Sequence, residues 1–408
     1  MTPSHPIPAP VRLPSDRDAS GRDFGREELE QLERVLASGV LNSTGGRAVR
    51  ELETAFGAEF GRPTVACSSG TAAVHAALAA LGLQPGDEVV TSPVTDMGAI
   101  VPIVYEGALP RFADVDPRTL SVTAESVARA TTARTRAILV THLFGRPCDV
   151  AAIARLARER GLVLIEDCAQ AFRAASAAGA VGTFGTFACF SLQQGKHMTC
   201  GEGGLVVAAD DAAADRVRRF VNKGWGYGDA APDHDRPGLN YRMSELQGAV
   251  ALAQFAKLGS VVERRRRSAA RFTAALDGIP GLDLMREAPS ERCSYWRYNL
   301  HVDPAIHAGG PDALADKLRA AGIGSQPGYV RRPAFACGLF RTWRTHTVLR
   351  LAVQGAGLEQ APWEGLDAAT HPGTYRGLQT VLVLPWNEAF DEGHVDALAG
   401  AVRAGLGL

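Results

Sequence analysis

The chain lacks the features that mark several protein classes. Its 408 residues carry a formal net charge of −1, which gives no long-range field to attract nucleic acid or an anionic membrane. No stretch approaches the roughly 18 uninterrupted apolar residues that a membrane span needs. The seven cysteines contain no Cys-x-x-Cys pair, which argues against a disulfide framework or a zinc site. We therefore expect a soluble cytoplasmic protein with reduced thiols, no bound metal and no nucleic-acid or membrane partner.

Lysine is scarce as well, and nearly all of the basic residues are arginines. The four lysines are Lys196, Lys223, Lys257 and Lys317. Lys196 follows a glycine in a glycine-rich loop, where a long cation has no packing purpose. A desolvated lysine amine can lose its proton and attack a carbonyl, whereas arginine stays charged at any working pH. The sequence thus favours a Schiff-base enzyme built on Lys196.

Length and composition predict two domains. A chain this long exceeds the usual size of a single core, and 46% apolar residues are enough to fill two. The first ten residues are proline-rich and have no apolar signal core, which predicts a flexible tail over residues 1–24. A long charged helix is expected to run to about Asp277, where Pro280-Gly281 breaks it. We expect a large domain over 25–280, including this linker helix, and a small domain over 281–408.

From residue 64 onward, short β-branched runs alternate with longer helical patterns. This alternation is typical of a parallel sheet wrapped by helices, an α/β fold. The strands are predicted at 64–67, 88–91, 111–115, 137–141, 162–167, 187–191 and 205–209. The helices between them are predicted at 71–81, 124–130, 150–160 and 212–221. Ligands of such sheets bind beyond the carboxyl ends of the strands, so residues at those ends are the site candidates.

The first strand ends in Ser68-Ser69-Gly70-Thr71, directly before an alanine-rich helical segment. Small residues at a helix start expose free backbone N–H groups, and the hydroxyls add donors, which suits a phosphate. The same four residues can equally serve only to cap the helix.

A buried strand ends in the carboxylates of Glu166 and Asp167. A carboxylate there is costly unless it meets a cation, and a protonated pyridine nitrogen is one such cation. Either acid can instead pair with an arginine or line a metal site, and position alone does not choose between the two. Ser191 ends another strand five residues before Lys196, so a hydroxyl and an amine are expected close together.

A phosphate anchor, a carboxylate for a pyridinium nitrogen and a Schiff-base amine are the parts of a pyridoxal 5'-phosphate (PLP) site, and they occur here in that chain order. The chain resembles the DegT/DnrJ/EryC1/StrS aminotransferases, the sugar aminotransferase branch of the type I PLP-dependent transferase fold. The resemblance runs from about Gly39 to Leu258, and more thinly to the C-terminus. Its most specific pieces are Gly70-Thr71-Ala72-Ala73, Leu81-Gly-Leu-Gln-Pro-Gly-Asp-Glu88, Glu166-Asp-Cys-Ala-Gln170, Lys196-His-Met-Thr-Cys-Gly-Glu-Gly-Gly204 and Asn240-Tyr-Arg-Met-Ser-Glu-Leu-Gln247.

The resemblance implies roles for individual residues. Lys196 would form the Schiff base and shuttle a proton, and Asp167 would hold the pyridinium proton. Gln170 would approach the ring hydroxyl, while the phosphate ligands would be Gly70, Thr71 and Ser191. Asn240 is expected to reach the phosphate of a neighbouring subunit, so a homodimer with shared active sites is implied.

The chain also departs from the family pattern. Relatives usually carry an aromatic residue after a threonine that follows the second strand, whereas this chain has Thr95-Asp96-Met97-Gly98. We take this as a sign of a divergent subgroup with an unusual acceptor. Residues expected to contact substrate are Asp96, Met97, His142, Lys223, Arg242, Tyr329 and Arg331.

The resemblance implies an enzyme that moves an amino group from glutamate or glutamine to a keto-sugar, nucleotide-linked or free, or to a keto-cyclitol. This chemistry belongs to secondary-metabolite or polysaccharide biosynthesis. One branch of the family has histidine at the lysine position and performs dehydration; here that position is Lys196, and His197 comes one residue later, which favours transamination. The alternatives are elimination or another PLP reaction, and a regulator that holds the cofactor without turnover.

Two further clusters have structural explanations. The run Arg264 to Arg267 points around the whole circumference of a helix and is predicted to be a solvated linker helix rather than a nucleic-acid patch. The aromatic residues Tyr295, Trp296 and Tyr298 are predicted to build the sheet of the small domain.

Overall fold

A computed structural model describes residues 12–408 and shows a large, mostly parallel sheet covered by helices. Six of its seven strands run in the same direction, and only β9 is antiparallel to its neighbours β1 and β8. The strands lie in the order β1-β9-β8-β5-β4-β2-β3. Their bounds are β1 Thr64–Cys67, β2 Glu88–Thr91, β3 Leu109–Phe112, β4 Thr135–Thr141, β5 Val163–Asp167, β8 Phe187–Ser191 and β9 Gly204–Ala208; β6 Ala175–Ser176 and β7 Gly179–Ala180 form a separate pair.

The helices of the first part of the chain cover both faces of this sheet. Adjacent strand residues contribute to different cores, since Val65 and Cys67 lie in one apolar cluster and Ala66 in another. This is the alternation that a sheet buried on both sides requires. The helices are α1 Arg26–Ser38, α2 Ala48–Phe60, α3 Gly70–Ala79, α4 Met97–Tyr105, α5 Ala124–Ala130, α6 Val150–Glu159, α7 Asp211–Val221 and α8 Glu245–Ala275.

The C-terminal part of the chain builds a second, antiparallel sheet. Its strands β10 Leu282–Leu284, β11 Tyr298–Val302, β12 Gln326–Pro327 and β13 Val381–Leu384 lie in the order β10-β11-β13-β12. The remaining helices are α9 Gly310–Ala320, α10 Gly338–Arg341, α11 Thr347–Gly355, α12 Pro372–Thr380 and α13 Glu392–Leu406. The second sheet begins two residues after the break that the sequence predicts at residue 280.

The α/β class and all seven predicted strands of the large sheet are confirmed, with ends that differ by at most three residues. Eight α-helices outside the predicted set also form among the described residues, namely α1, α2, α4, α9, α10, α11, α12 and α13. Among residues 12–408, no helix is long and apolar enough to cross a bilayer.

The predicted tail over 1–24 lies partly outside the described residues, which begin at Arg12. Its described part contains a short 3-10 helix, Ala19–Gly21, and a buried Arg22. The Asn387 amide donates to the Gly21 carbonyl over 3.0 Å, so this segment is packed against the C-terminal part of the chain.

The prediction of a fully solvated arginine run on α8 is wrong at Arg265. This side chain is 0% exposed and is bonded to the Glu388 carboxylate at 2.6 Å and 2.9 Å. It also donates to the carbonyls of Tyr295 and Trp386. Arg265 therefore joins the long helix to the C-terminal part of the chain.

Candidate active site

A cavity of about 280 Å³ lies at the carboxyl ends of the central strands. It is lined by residues at or just after the ends of β1, β2, β5 and β8, four parallel strands that end at the same edge of the sheet. Parallel strands bring their ends to one edge of the sheet, as expected for a ligand site of this architecture. The predicted site residues that line it are Gly70, Thr71, Asp96, Asp167, Gln170, Ser191 and Lys196.

One end of the cavity is the start of α3. The Ser69 hydroxyl accepts from the Ala72 N–H over 3.1 Å and caps the helix, so the capping explanation of this segment holds for Ser69. The first amides of a helix have no acceptor within it, and those of Gly70 and Thr71 stand in these positions. A Cβ at Gly70 would lie 2.6 Å from the Ser191 Cβ, so only glycine lets the helix start approach the Ser191 hydroxyl. The result is a small cradle of N–H and hydroxyl donors.

Two consecutive acids at the end of β5 point to opposite sides of the sheet. Glu166 is 0% exposed, and its oxygens accept N–H bonds from Gly182, Phe184 and Gly185 at 2.7 to 2.8 Å. Asp167 lines the cavity instead, with Oδ1 accepting from the Ala169 N–H over 3.1 Å. The geometry therefore selects Asp167 as the carboxylate that can meet a ligand. Strand position alone leaves this choice open, and the family resemblance makes the same choice.

The second oxygen of Asp167 is poorly paired. Its closest hydrogen-bond partner among the described residues is the Thr141 hydroxyl at 3.5 Å, a long and weak contact. Burial raises the pKa of Asp167 above its ordinary value, although the Ala169 N–H and the Lys196 charge act in the opposite direction. A cationic N–H arriving in the cavity would satisfy this oxygen and stabilise the charged carboxylate.

Lys196 enters the cavity from the loop after β8, and this loop is held from three sides. The Trp296 indole N–H donates to the Gly195 carbonyl over 2.8 Å, and Arg22 donates to the Lys196 carbonyl over 2.9 Å. The ring of the next residue, His197, donates through Nε2 to the Ser294 carbonyl over 2.9 Å. The backbone on both sides of Lys196 is thus fixed by distant parts of the chain.

The environment of the Lys196 amine changes its acidity. Burial lowers its pKa to about 8 from the ordinary 10.5, while the negative charges of Asp167 and Asp96 act against burial. At pH 8 a substantial fraction of the amine is therefore uncharged, which is the form that attacks a carbonyl.

Gln170 lines the cavity and bonds Tyr329, which is not among the lining residues. The Gln170 carbonyl oxygen accepts from the Phe144 N–H over 2.8 Å, and its amide donates to the Tyr329 hydroxyl over 3.2 Å. The Tyr329 ring packs edge-on against Phe144, with 4.8 Å between centroids. These bonds fix the Gln170 side chain, which itself lines the cavity.

The departure from the family pattern at Asp96 has a structural consequence. The Asp96 carboxylate caps α4 by accepting from the Gly98 N–H over 2.7 Å, and it lines the cavity. Met97 is the first residue of that helix. Among the cavity-lining residues in the described part of the chain, none is aromatic. The apolar part of the lining consists of Val74, Ala99 and Ala169.

The prediction that His142 contacts substrate is not supported. The side chain is 0% exposed, its Nδ1 accepts from the Cys148 N–H over 3.2 Å, and its Nε2 donates to Glu166 over 3.1 Å. His142, Glu166 and Cys168 bring potential metal-ligating atoms within 4.8 Å of one another. The Glu166 oxygens are already used by three amides and His142, so we assign the cluster a structural role.

Besides Met97, His142 and Tyr329, four other predicted residues are absent from the cavity lining of their own chain. Asn240 and Lys223 are exposed, and they belong to the long segment between α7 and α8. Arg242, in the same segment, donates to the Asn222 side chain over 3.4 Å. Arg331 is exposed beside Tyr329. None of the four is among the residues that line the cavity described here.

Sequence reasoning missed the residues that hold the lysine loop. Trp296 was predicted to build the small sheet, but it lies just before the strand β11, with its ring against Lys196. Arg297 stacks on the same indole and donates to Asp16 over 2.7 Å. No local pattern marks these residues, because their partners lie more than 90 positions away in the sequence.

The chain matches the model of a protein family, and it is similar to known proteins in sequence and in structure. The model of the DegT/DnrJ/EryC1/StrS aminotransferase family matches residues 22–360. GDP-perosamine synthase of Vibrio cholerae is 33% identical over 345 residues, 83% of this chain and 92% of the relative. The crystal structure of the aminotransferase TlmJ from Streptoalloteichus hindustanus is 30% identical, with a TM-score of 0.80 over 95% of this chain and 98% of that one. The crystal structure of 3-amino-5-hydroxybenzoic acid synthase is 26% identical, with a TM-score of 0.83 over 98% of this chain and 99% of that one.

Proposed function

The chain belongs to the DegT/DnrJ/EryC1/StrS aminotransferase family, and from this premise we propose that it transfers an amino group from glutamate or glutamine to a keto-sugar. It is an aminotransferase with the type I fold, and the family is of the PLP-dependent type. The observation that carries the proposal is the meeting of Lys196 and Asp167 in one cavity with the donor cradle of α3. We divide the chain at residue 280 and assign this cavity to the first domain.

The residues of the cavity fit the cofactor. The weakly paired Asp167 oxygen suits a protonated ring nitrogen, and the cradle at Gly70, Thr71 and Ser191 suits a phosphate. Gln170 is fixed where it can face a ring hydroxyl. When bound, the cofactor supplies an aldehyde that takes up the amino group and a ring that withdraws electrons from the reacting carbon.

Lys196 has two tasks in this proposal. Its Nζ would hold the cofactor between turnovers. Afterwards, as a free amine, it would take the proton from the Cα of the donor and deliver it to C4′, the former aldehyde carbon of the cofactor. A group that both accepts and donates a proton works best when its pKa lies near the working pH. The lowered value of about 8 meets this requirement.

The acceptor is proposed from the relatives and from the composition of the cavity. GDP-perosamine synthase is named for an amino sugar linked to a nucleotide, which supports a nucleotide-linked keto-sugar here. A free keto-sugar or a keto-cyclitol fits the polar lining equally well, because the lining offers hydroxyls, amides and carboxylates such as Asp96 and Glu202. Biosynthesis of a polysaccharide or a secondary metabolite is the setting we propose.

A homodimer is part of the proposal. Asn240, Lys223 and Arg242 lie on one exposed segment and do not line the cavity of their own chain, so we propose that they serve the cavity of a second copy. Exposed apolar side chains in α1 and beside its two ends support a second copy there, namely Phe24, Leu29, Leu36 and Leu41. A location in the cytoplasm remains a prediction.

One observation favours a second candidate. Asp96 places a carboxylate where relatives carry a stacking aromatic, and this can redirect the reaction toward elimination or another PLP reaction. A structural neighbour is named as a synthase of an aminated hydroxybenzoic acid. The difference between the two candidates lies in the fate of the donor nitrogen.

The test is a single turnover of the full-length protein loaded with PLP. Glutamate or glutamine is added without acceptor, and the released keto acid is measured per active site. Transamination predicts one keto acid per site and a stable aminated cofactor, for the wild type and for the control Lys317→Ala, whose amine donates to Gly405 far from the cavity. No keto acid with either donor contradicts transamination and supports the other PLP reactions or a regulator without turnover.

A further inference from the structure

The amine of Lys196 lies on the face of an aromatic ring. Its Nζ is 4.2 Å from the centroid of the Trp296 indole. In the described part of the chain, this nitrogen has no hydrogen bond to another protein group within normal distance. Its nearest organised contact is therefore the indole, although Trp296 follows the reactive lysine by 100 positions.

Two flanking bonds keep this ring in register with the lysine. The indole N–H donates to the carbonyl of Gly195, directly before Lys196. Two residues before the tryptophan, the Ser294 carbonyl accepts from the His197 ring, directly after Lys196. The segments 195–197 and 294–296 are thus joined on both sides of the Lys196–Trp296 contact. The Arg297 guanidinium, 4.8 Å from the same centroid, packs further against the ring.

We propose that Trp296 is a positioning residue that holds the Lys196 amine against its indole face whenever that amine is not bonded to the cofactor. The inference rests on the proposed function, because it assigns the ring to the proton-transfer stage of the lysine. No residue-level role of this kind follows from the family match alone.

An indole suits this task for a chemical reason. Its quadrupole attracts the ammonium form of Lys196, the form that carries the abstracted proton, with about 0.5–2 kcal/mol between exposed and desolvated sites. The indole itself takes no proton from this nitrogen. A carboxylate in the same place would form an ion pair and hold the proton on the amine. The ring therefore fixes the direction of the amine and leaves its protons free for the substrate carbon.

The competing explanation is that Trp296 only fills space between the two sheets. Both explanations predict lower stability for a truncated side chain, so stability does not separate them. They differ in the NMR chemical shift that they predict for Lys196 and in the rate of proton transfer by its amine.

The small number of lysines makes a direct measurement possible. Lysines of the full-length protein, freed of cofactor, are reductively methylated with ¹³C, which gives one methyl signal per lysine, and Lys196→Ala identifies the relevant one. A methyl group on an indole face is shifted upfield by the ring current. We expect an upfield Lys196 signal that moves back to the range of the other lysines in Trp296→Leu and stays upfield in Trp296→Phe.

The control is Trp343→Leu, which removes an indole that also carries a cation, Arg344 at 4.4 Å, far from the cavity. It should leave the Lys196 signal unchanged. An unshifted Lys196 signal in the wild type overturns the inference even if the leucine variant fails to fold. An upfield signal that survives Trp296→Leu overturns it as well.

A kinetic measurement tests the consequence. In the donor half-reaction, Trp296→Leu should slow proton transfer about 2- to 30-fold, the factor that corresponds to the interaction above. The isotope effect with glutamate deuterated at Cα should rise, while Trp296→Phe should restore most of the rate. Equal isotope effects in wild type and Trp296→Leu contradict a role in positioning. If the wild type shows no turnover, the proposed function fails, and the methyl signal alone decides this inference.

Discussion

The two ends of the cavity are built in different ways. The end that we propose for the phosphate, called the phosphate end, is formed by Gly70, Thr71 and Ser191. It consists of a helix start and one strand end that touch directly. The lysine end is a loop whose position depends on Arg22 and Trp296. Both residues contact Lys196, although they lie 174 and 100 positions away from it in the sequence. The phosphate end is thus fixed by backbone geometry, whereas the lysine end depends on tertiary contacts. Damage to distant contacts should therefore affect the amine and leave phosphate binding intact.

The strongest test of this division lies between the two ends, at the tip of β5. Asp167→Asn removes the charge that faces the cavity and should lower the rate constant of the donor half-reaction at least about 10³-fold, roughly 4 kcal/mol, with little change in stability. Stopped-flow absorbance measures the rate. The matched variant Glu166→Gln should lower the free energy of unfolding and leave the rate constant of the donor half-reaction nearly unchanged. The reason is that Glu166 accepts three buried backbone hydrogen bonds. A slow but stable Glu166→Gln enzyme would contradict the assignment of the two acids.

At the lysine end, Arg22→Gln should destabilise the protein by about 2–3 kcal/mol, measured by urea unfolding. Arg22 is buried, donates to the Lys196 carbonyl and lies within 3.7 Å of the Glu388 carboxylate. PLP loading should slow, while binding of inorganic phosphate should stay the same. The control is Arg17→Gln, which replaces an exposed arginine in the same segment. It should change neither the free energy of unfolding nor the rate of PLP loading. Equal effects from Arg17→Gln would show that the segment contributes only nonspecific packing.

At the phosphate end, Gly70→Ala should weaken PLP binding about 10- to 100-fold, roughly 1.4–2.7 kcal/mol. The added methyl group would lie 2.6 Å from the Ser191 Cβ, so the cradle must open. Gly400→Ala, in α13, is the matched control because its methyl group meets nothing within 4 Å. Affinity is measured by equilibrium dialysis. Unchanged affinity in Gly70→Ala would remove the phosphate from this end.

The smallest effect is the pH dependence of PLP loading. Lys196 has a lowered pKa, so it is charged below about pH 8 and increasingly neutral above it. The loading rate should rise about tenfold per pH unit below that value and level off above it. Gly70→Ala should raise the PLP concentration that loading needs, and it should leave the pH midpoint of the loading rate unchanged. A rate that still rises steeply up to pH 10 would contradict the lowered pKa.

The difference between the two ends also explains how much the sequence could predict. That Gly70 and Thr71 line a cavity at a helix start was predictable, since a strand end, small residues and a helix start are adjacent in the chain. Their use by a phosphate stays a prediction. The strands themselves were predictable for the same reason, because alternation and turn residues are local signals. At the end of β5, strand position identified two acids without choosing between them, and the family resemblance chose Asp167. The pleat of the strand gives the physical reason, because Glu166 points to the other side and bonds the amides of Gly182 and Gly185.

The lysine end shows where sequence reasoning stops. Lys196 was conspicuous by its rarity, but nothing near it indicates that Trp296, Ser294 and Arg22 hold its loop. Similarly, the buried Arg265 could not be distinguished from its exposed neighbours, because its partner Glu388 lies 123 positions away. Contacts of this kind are decided by the packing of the two sheets and carry no periodic pattern.

The central claim is that Lys196 is the amine that holds the cofactor. The full-length protein is incubated with PLP, reduced with borohydride and digested, and the reduced cofactor is located by mass spectrometry among the four lysines. The account predicts one label per chain, on the peptide that contains Lys196, and no stable label in Lys196→Ala. A label on Lys223, Lys257 or Lys317, or full labelling of Lys196→Ala, would contradict it.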